Sequence, residues 1–207
     1  IDAGVIGEVR HVTANRLAMG RIRATESVIH DLCPHDISLI LAIMGGMPER
    51  ISCTGASHVM PGNVDTLSAF LAFAGGRSAA MNTSWISPYK EHRLTVSGTG
   101  GAIVFDDTRP WAEKLTLYRD TITPDGDNFA VARAKPVHLP VAEAEPLKQE
   151  MQAFVTSCET NEPSPTGVDH AMAVQRVLHG MTENFIEFGT AGEDLSLIHI
   201  SEPTRRT

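Results

Sequence analysis

Val28-Ile-His-Asp-Leu-Cys-Pro-His-Asp-Ile-Ser-Leu-Ile-Leu-Ala-Ile-Met-Gly-Gly46 decides how the chain is to be read. Two histidines, two aspartates and a cysteine stand at the opening of an apolar run, Ile37 to Met44, that has almost no polar face. Such a run predicts a buried helix, and Gly45-Gly46 supplies a residue able to take positive φ and end it. Asp31 and His35 are four residues apart and would share a helical face. A carboxylate beside an imidazole fixes its tautomer and raises its basicity, as a general base near neutral pH requires. Acidic residues and histidines at a helix start also serve as caps and dipole partners, and that reading stays open. Pro34 disfavours helix at Cys33, so the helix is expected to kink there or to begin near Pro34. Metal binding by His30, Asp31, Cys33, His35 and Asp36 is a further reading, although the spacing matches none of the strong zinc signatures.

Outward from this stretch, strands come first and helices last. Glu8 to Leu17 reads as a strand and Ala18 to Thr25 as a basic loop carrying Arg21 and Arg23. Arg50 to Ala56 reads as a short strand. Thr66 to Phe73 and Arg77 to Ile86 alternate on either side of Gly75-Gly76, a hairpin pattern. Arg93 to Ser97 and Ala102 to Asp106 repeat it around Gly98-Thr-Gly-Gly101, with Lys114 to Arg119 and Ala134 to Leu139 continuing the meander. The glycine cluster lacks the lysine of a phosphate loop and lies between strands, so a turn is expected. Leu147, Met151, Phe154, Val155 and Cys158 recur at helical spacing after Pro146. Thr166-Gly-Val-Asp169 fits a capping box before Ala171, Val174, Leu178, Met181 and Phe185. Both stripes read as core packing. The fold class is therefore α+β, an open, largely antiparallel sheet with helices on one face. Phe70, Val104 and Tyr118 would lie on the second face, which points to an oligomer.

Composition bounds the function. The 207 residues suffice for one substantial domain, 42% of them hydrophobic and 20% charged. A net charge of −8, with Arg205-Arg206 the only basic pair, argues against nucleic acid and against anionic membranes. Three widely spaced cysteines, Cys33, Cys53 and Cys158, make no disulfide framework and point to the reducing cytoplasm. Leu195-Ser-Leu-Ile-His-Ile-Ser-Glu-Pro-Thr-Arg205 resembles a translated sequencing adapter, so residues 190–207 are set aside as a non-native-looking tail. Ile1 to Gly7 reads as a helix end and turn left from an upstream connection, with the working domain at residues 8–189.

The order Gly7-Glu-Val-Arg-His11, then Asp31-Leu-Cys-Pro-His35-Asp-Ile, then Ser84-Trp85 and a Gly-Gly hairpin resembles the C-terminal domain of the Gfo/Idh/MocA family of sugar oxidoreductases. The resemblance runs from Ala3 to Phe185. It implies a partner Rossmann domain upstream, which binds NAD or NADP, and a substrate domain with an open sheet that also carries the oligomer interface. It puts Asp31 and His35 in the active site. His35 would take the proton of a sugar hydroxyl as hydride leaves the same carbon, with Asp31 orienting it. The family's lysine motif and dinucleotide fingerprint are absent here and would lie upstream of Ile1. Ser84-Trp-Ile-Ser-Pro-Tyr-Lys-Glu-His-Arg93 and Phe105-Asp-Asp-Thr-Arg-Pro-Trp111 are similar to members that oxidise UDP-linked N-acetylhexosamines or their uronic acids in surface-polysaccharide synthesis. For a UDP-sugar's pyrophosphate, Arg21, Arg23, Lys90 and Arg93 are the candidate contacts. Lys90 and Arg93 also fit an ordinary solvated strand end. His30 and His92 are expected to be supporting or surface residues. Other expectations are a cyclitol or free-sugar dehydrogenase of the same family, a catalytically silent sugar-binding or assembly domain, and, last, a metal-dependent hydrolase or isomerase.

Overall fold

Val12 and Ala14 alternate with His11, Thr13 and Asn15 in strand β1 (Val9–Met19), so one of its faces is apolar and the other polar. The computed structural model describes residues 1, 3–164 and 166–188, and β1 lies at the centre of its main sheet. After β1 come helices α1 (Val28–Asp31) and α2 (Cys33–Met44). Strands β2 (Arg50–Ala56), β3 (Thr66–Ala72), β4 (Ser78–Ser84), β5 (Ile86–Gly98), β6 (Gly101–Asp106) and β7 (Leu115–Tyr118) follow. The chain then makes β8 (Thr121–Asp125), β9 (Asn128–Ala132), β10 (Val137–His138), α3 (Pro146–Thr160), α4 (Val168–Glu183) and β11 (Phe185–Glu187). The tail set apart on sequence grounds, 190–207, lies outside the described residues.

Nine strands form one open sheet in the order β10-β7-β6-β5-β1-β4-β3-β2-β11. All pairs are antiparallel except β1 with β4 and β11 with β2. The expected α+β class and its largely antiparallel sheet are what the chain adopts. Two hairpins stand where the glycines placed them, β3–β4 and β5–β6. β5 begins at Ile86 rather than Arg93, and the separate β8–β9 hairpin was not foreseen from sequence. Its strands are exposed throughout, so no buried stripe betrays them.

Register explains the core. Leu71, Ala79, Val12, Val96, Ile103 and Leu117 are successive cross-strand partners on six strands, and all six are buried. The next row, Ala69, Met81, Ala14 and Leu94, is buried too. Against these rows lie Ile37, Ile40, Leu41 and Met44 of α2, with Val174, Val177, Leu178 and Met181 of α4. Each fully buried aliphatic side chain contributes about 1.5–3 kcal/mol relative to exposure. α2 ends at Gly45, in the left-handed region at φ 67°, and Arg77 Nη1 donates to the Met44 carbonyl at 2.8 Å. Ile6 is fully buried, which ties the first residues to the sheet.

Three local expectations are corrected. The stripe Leu147, Met151, Phe154, Val155 and Cys158 is not core: α3 has no buried residue, because no described element packs over that face. Thr166 does not cap α4; Gly167 holds the N-cap position and no side chain bonds there. Asp31 and His35 fall in two helical segments, parted at Leu32, with Pro34 in the first turn of α2 as its ring allows. No helix among the described residues is long and apolar enough to cross a membrane.

Candidate functional site

The helix-covered face of the sheet stays apolar for two rows and then turns polar. In the third row Leu67 is followed by Thr83, Arg16 and His92, direct partners on β4, β1 and β5. There a cavity of about 280 Å³ opens, lined by Arg16, Arg21, Arg23, Asp31, Trp85, Lys90, Glu91 and His92 among others. Its size is near the lower end for small-ligand pockets, about 300 Å³.

Arg16 is the floor. Its Nε and Nη2 donate to the two carboxylate oxygens of Asp36 at 3.0 and 2.7 Å, and that carboxylate is 4% exposed. The two-pronged geometry suits a guanidinium and fixes its plane. Beside it, Cys33 Sγ donates to Thr83 Oγ1, and burial pushes this thiol's pKa up to about 12, so it carries no nucleophile at neutral pH.

Asp31 is held by the wall, not by His35. Trp85 Nε1 donates to its Oδ2 at 3.1 Å, and Arg23 Nε lies 3.6 Å from its Oδ1. Trp85 is 2% exposed, and Gly20 packs over its indole, donating its N–H to the Trp85 carbonyl at 2.8 Å. Arg23 is anchored in turn, since Asn63 Nδ2 donates to its carbonyl at 2.5 Å. The turn bearing Asn63 is pinned by buried Asp65, which accepts from His58 N, Val59 N and His58 Nδ1 at 2.7–2.8 Å.

The sequence-derived set divides. Arg21, Arg23, Lys90 and Asp31 line one cavity. Arg21 and Lys90 have no acidic partner within 4 Å among the described residues, so two uncompensated cations face that space. His35 is exposed on the first turn of α2 and is not part of the lining; no hydrogen bond joins it to Asp31. Arg93 lies elsewhere, its guanidinium within 3.3 Å of Asp106 and 3.4 Å of Glu91, over a separate concavity with Tyr118 and His138. His30 bonds Ser27. With Asp36 committed to Arg16 and His30 to Ser27, the five candidate metal ligands do not converge; the described residues hold no cluster of three such side chains.

Arg16, Trp85 and His92 carry the site's shape; of these, Arg16 did not figure in the sequence argument, and His92 figured only as a supporting or surface residue. A signal was available. Val12-Ala14-Arg16 and Val96-Leu94-His92 place a charged or titratable side chain in the core-facing phase of a strand, where burial costs free energy unless a partner or ligand meets it.

A nicotinamide dinucleotide is not accommodated by the described residues alone. The glycine cluster Gly98 to Gly101 is the β5–β6 turn, where a side chain at Gly98 would strike the Ile6 carbonyl, and it opens no helix that could cradle a phosphate. The Gly100 N–H is already spent on Ile6 O at 2.8 Å and Thr99 N–H on Glu8 O at 3.0 Å.

Known proteins place the chain. A curated relative, the 2,7-anhydro-N-acetylneuraminate hydratase of Mediterraneibacter gnavus, is 27% identical over 122 residues, which are 51% of this chain and 32% of that protein. The crystal structure of a candidate oxidoreductase from Magnetospirillum magnetotacticum MS-1 is 28% identical with a TM-score of 0.72, matching 86% of this chain and 56% of its own. The UDP-N-acetylglucosamine 3-dehydrogenase of Acidithiobacillus ferrooxidans also reaches a TM-score of 0.72, at 19% identity over 89% of this chain and 55% of its own, a likeness of fold. The chain thus spans about a third of the curated relative and just over half of these solved proteins. Since the model of the GFO/IDH/MocA C-terminal domain matches residues 1–104, the chain belongs to the GFO/IDH/MocA family of oxidoreductases and carries its C-terminal domain.

Proposed function

We propose that this chain is the substrate-binding and catalytic domain of an NAD(P)-dependent oxidoreductase that acts on a secondary hydroxyl of a sugar or sugar nucleotide. The observation that carries the proposal is the cavity beside α1. It holds Arg21 and Lys90, cations with no acidic partner within 4 Å among the described residues, and a carboxylate, Asp31, fixed by Trp85 and Arg23. Cations without partners suit an anionic substrate group such as a uronate carboxylate or a pyrophosphate. The dinucleotide belongs to chain outside the described residues, so the tasks left here are to bind the sugar and to manage one proton. His35, exposed on the first turn of α2 outside the cavity lining, is the proposed base, with Asp31 at the end of α1 setting the local charge. The segment 1–7 is the proposed end of the connection from the dinucleotide-binding part, and the open face of the sheet the proposed contact between copies.

The curated relative is named for hydration, which favours a second reading. The same hydroxyl chemistry would then serve water addition to, or removal from, an acidic amino sugar. Both readings are tested in the enzyme that carries this domain, with UDP-N-acetylglucosamine, glucuronate and myo-inositol as substrates for oxidation and 2,7-anhydro-N-acetylneuraminate for hydration. Nicotinamide absorbance reports net oxidation, and product mass reports hydration. His35→Ala is expected to lower kcat by about 10²–10⁴ while leaving dinucleotide affinity nearly unchanged. Full retained turnover would remove His35 from the mechanism.

A further inference from the structure

His92 occupies the inner wall of the cavity as the last member of the row Thr83, Arg16, His92. Its ring is fixed from two sides. Nδ1 lies 3.3 Å from Asp107 Oδ2, and Phe105 meets the ring edge-on at 6.3 Å between centroids. Asp107 is itself immobilised, by Lys114 Nζ at 2.5 Å and by its own N–H, which donates to the His92 carbonyl at 2.9 Å. With Asp107 accepting at Nδ1, the neutral ring carries its proton there and leaves a lone pair on Nε2. Nε2 has no partner among the described residues.

Most polar side chains of the cavity are donors or already have partners. Arg16, Arg21, Arg23, Lys90 and the Trp85 indole only donate. Asp31 is engaged by Trp85 and Arg23, the Ser84 hydroxyl by Thr66 and the Ile86 N–H, and Glu91 turns its carboxylate to the other face of the sheet, onto Asn15 and Arg93. A hydroxyl group both donates and accepts, so a polyol in this space needs one free acceptor. We propose that His92, oriented by Asp107, is that acceptor, taking a hydrogen bond from a hydroxyl of the sugar through Nε2. Burial, followed by the Arg16 charge, holds the imidazole's pKa below its ordinary value, against the opposing carboxylates of Asp36 and Asp107. The ring is therefore neutral at pH 7 and able to accept. A site built around such an acceptor rejects the analogue that lacks the hydroxyl, so His92 becomes a specificity-determining residue.

The inference rests on the proposed sugar-binding role of the cavity, and its test separates the two. The 207-residue chain, labelled with ¹⁵N in histidine and tryptophan, is titrated with N-acetylglucosamine, glucuronic acid and the deoxy analogue of whichever binds. The Trp85 indole reports occupancy and His92 Nε2 reports contact, with resonances identified from the His92→Gln and Trp85→Phe spectra. The expected result is that both signals move, and that His92→Phe weakens binding about tenfold. His92→Gln, which keeps an acceptor oxygen, should retain most of the affinity, and the deoxy probe should bind the native chain no better than His92→Phe binds the parent sugar. If Trp85 moves and His92 Nε2 does not, the His92 assignment is overturned while the cavity's role stands. If neither moves with any probe, the sugar-binding reading falls and takes His92 with it.

Discussion

Asp36 sits at a core-facing position of α2 with its side chain 4% exposed. Its partner there is the two-pronged contact with Arg16. Asp36→Asn leaves a guanidinium without its counter-charge on the cavity floor, and should lower unfolding free energy by about 3 kcal/mol in urea denaturation. Arg16→Met with Asp36→Leu should cost clearly less than the single change, since no charge is then stranded; equal losses would show that packing, not charge, sets the cost. His92 gives the pH counterpart. Its imidazole faces Arg16 from β1, Asp36 from α2, and Asp107 with Lys114 beyond β6, and the balance lowers its pKa. A lowered folded value means the unfolded chain takes up the proton first, at about 6.5. The contribution to stability is thus fully present above about pH 6.5 and is lost as pH falls through the folded value. Stability should fall as pH drops below about 6.5, and His92→Gln should flatten that fall; an unchanged slope would assign it to another group. Residues of this kind were only half legible. Asp31, Arg21 and Arg23 announced themselves by type in a loop and near a helix start, and Lys90 through the family resemblance. His92 was named only as a supporting or surface residue, and Arg16 was hidden in a strand whose remaining positions read as ordinary alternation.

Among elements, legibility followed locality. α2 ends where Gly45 demands, and β3–β4 turns on its glycines, because both signals lie within a few residues of the structure they set. The position of β1 between β4 and β5 did not follow from any such signal. Nothing within eleven residues of strand says that its neighbours come roughly 65 to 90 positions later, since pairing is decided by the match of apolar rows across the sheet. The consequence for the site is direct, because that insertion brings Arg16 beside both Thr83 and His92. α3 failed for the opposite reason. Its periodicity is genuine, with Leu147 and Phe154 70% and 61% exposed on one stripe, but periodicity states only that a face is apolar, not that this chain supplies the cover.

For the whole molecule the decisive asymmetry is between the two faces of the sheet. One is sealed by α2 and α4; the other is open and polar at its centre, where Ser68, Asn82, Asn15 and Glu91 hydrogen-bond in sequence from β3 to β5. This run of hydrogen-bonded polar side chains crosses four strands, and Phe70 rises beside it 49% exposed with His11 stacked against it at 6.4 Å. Satisfied polar groups and an exposed aromatic suit contact with a second copy related by a two-fold axis, in which the same patch meets itself. The 207-residue chain should therefore sediment as a dimer or larger at micromolar concentration. Phe70→Asp, which places one charge from each copy near the axis, should shift it to monomer without lowering the thermal midpoint of the monomer by more than a surface substitution does. Phe154→Asp on α3 serves as the contrast, removing exposed apolar area of similar size from a different surface. Dissociation by Phe70→Asp alone supports the open face as the contact. Dissociation by Phe154→Asp alone moves the contact to α3, and a native chain that is monomeric throughout leaves the open face to solvent.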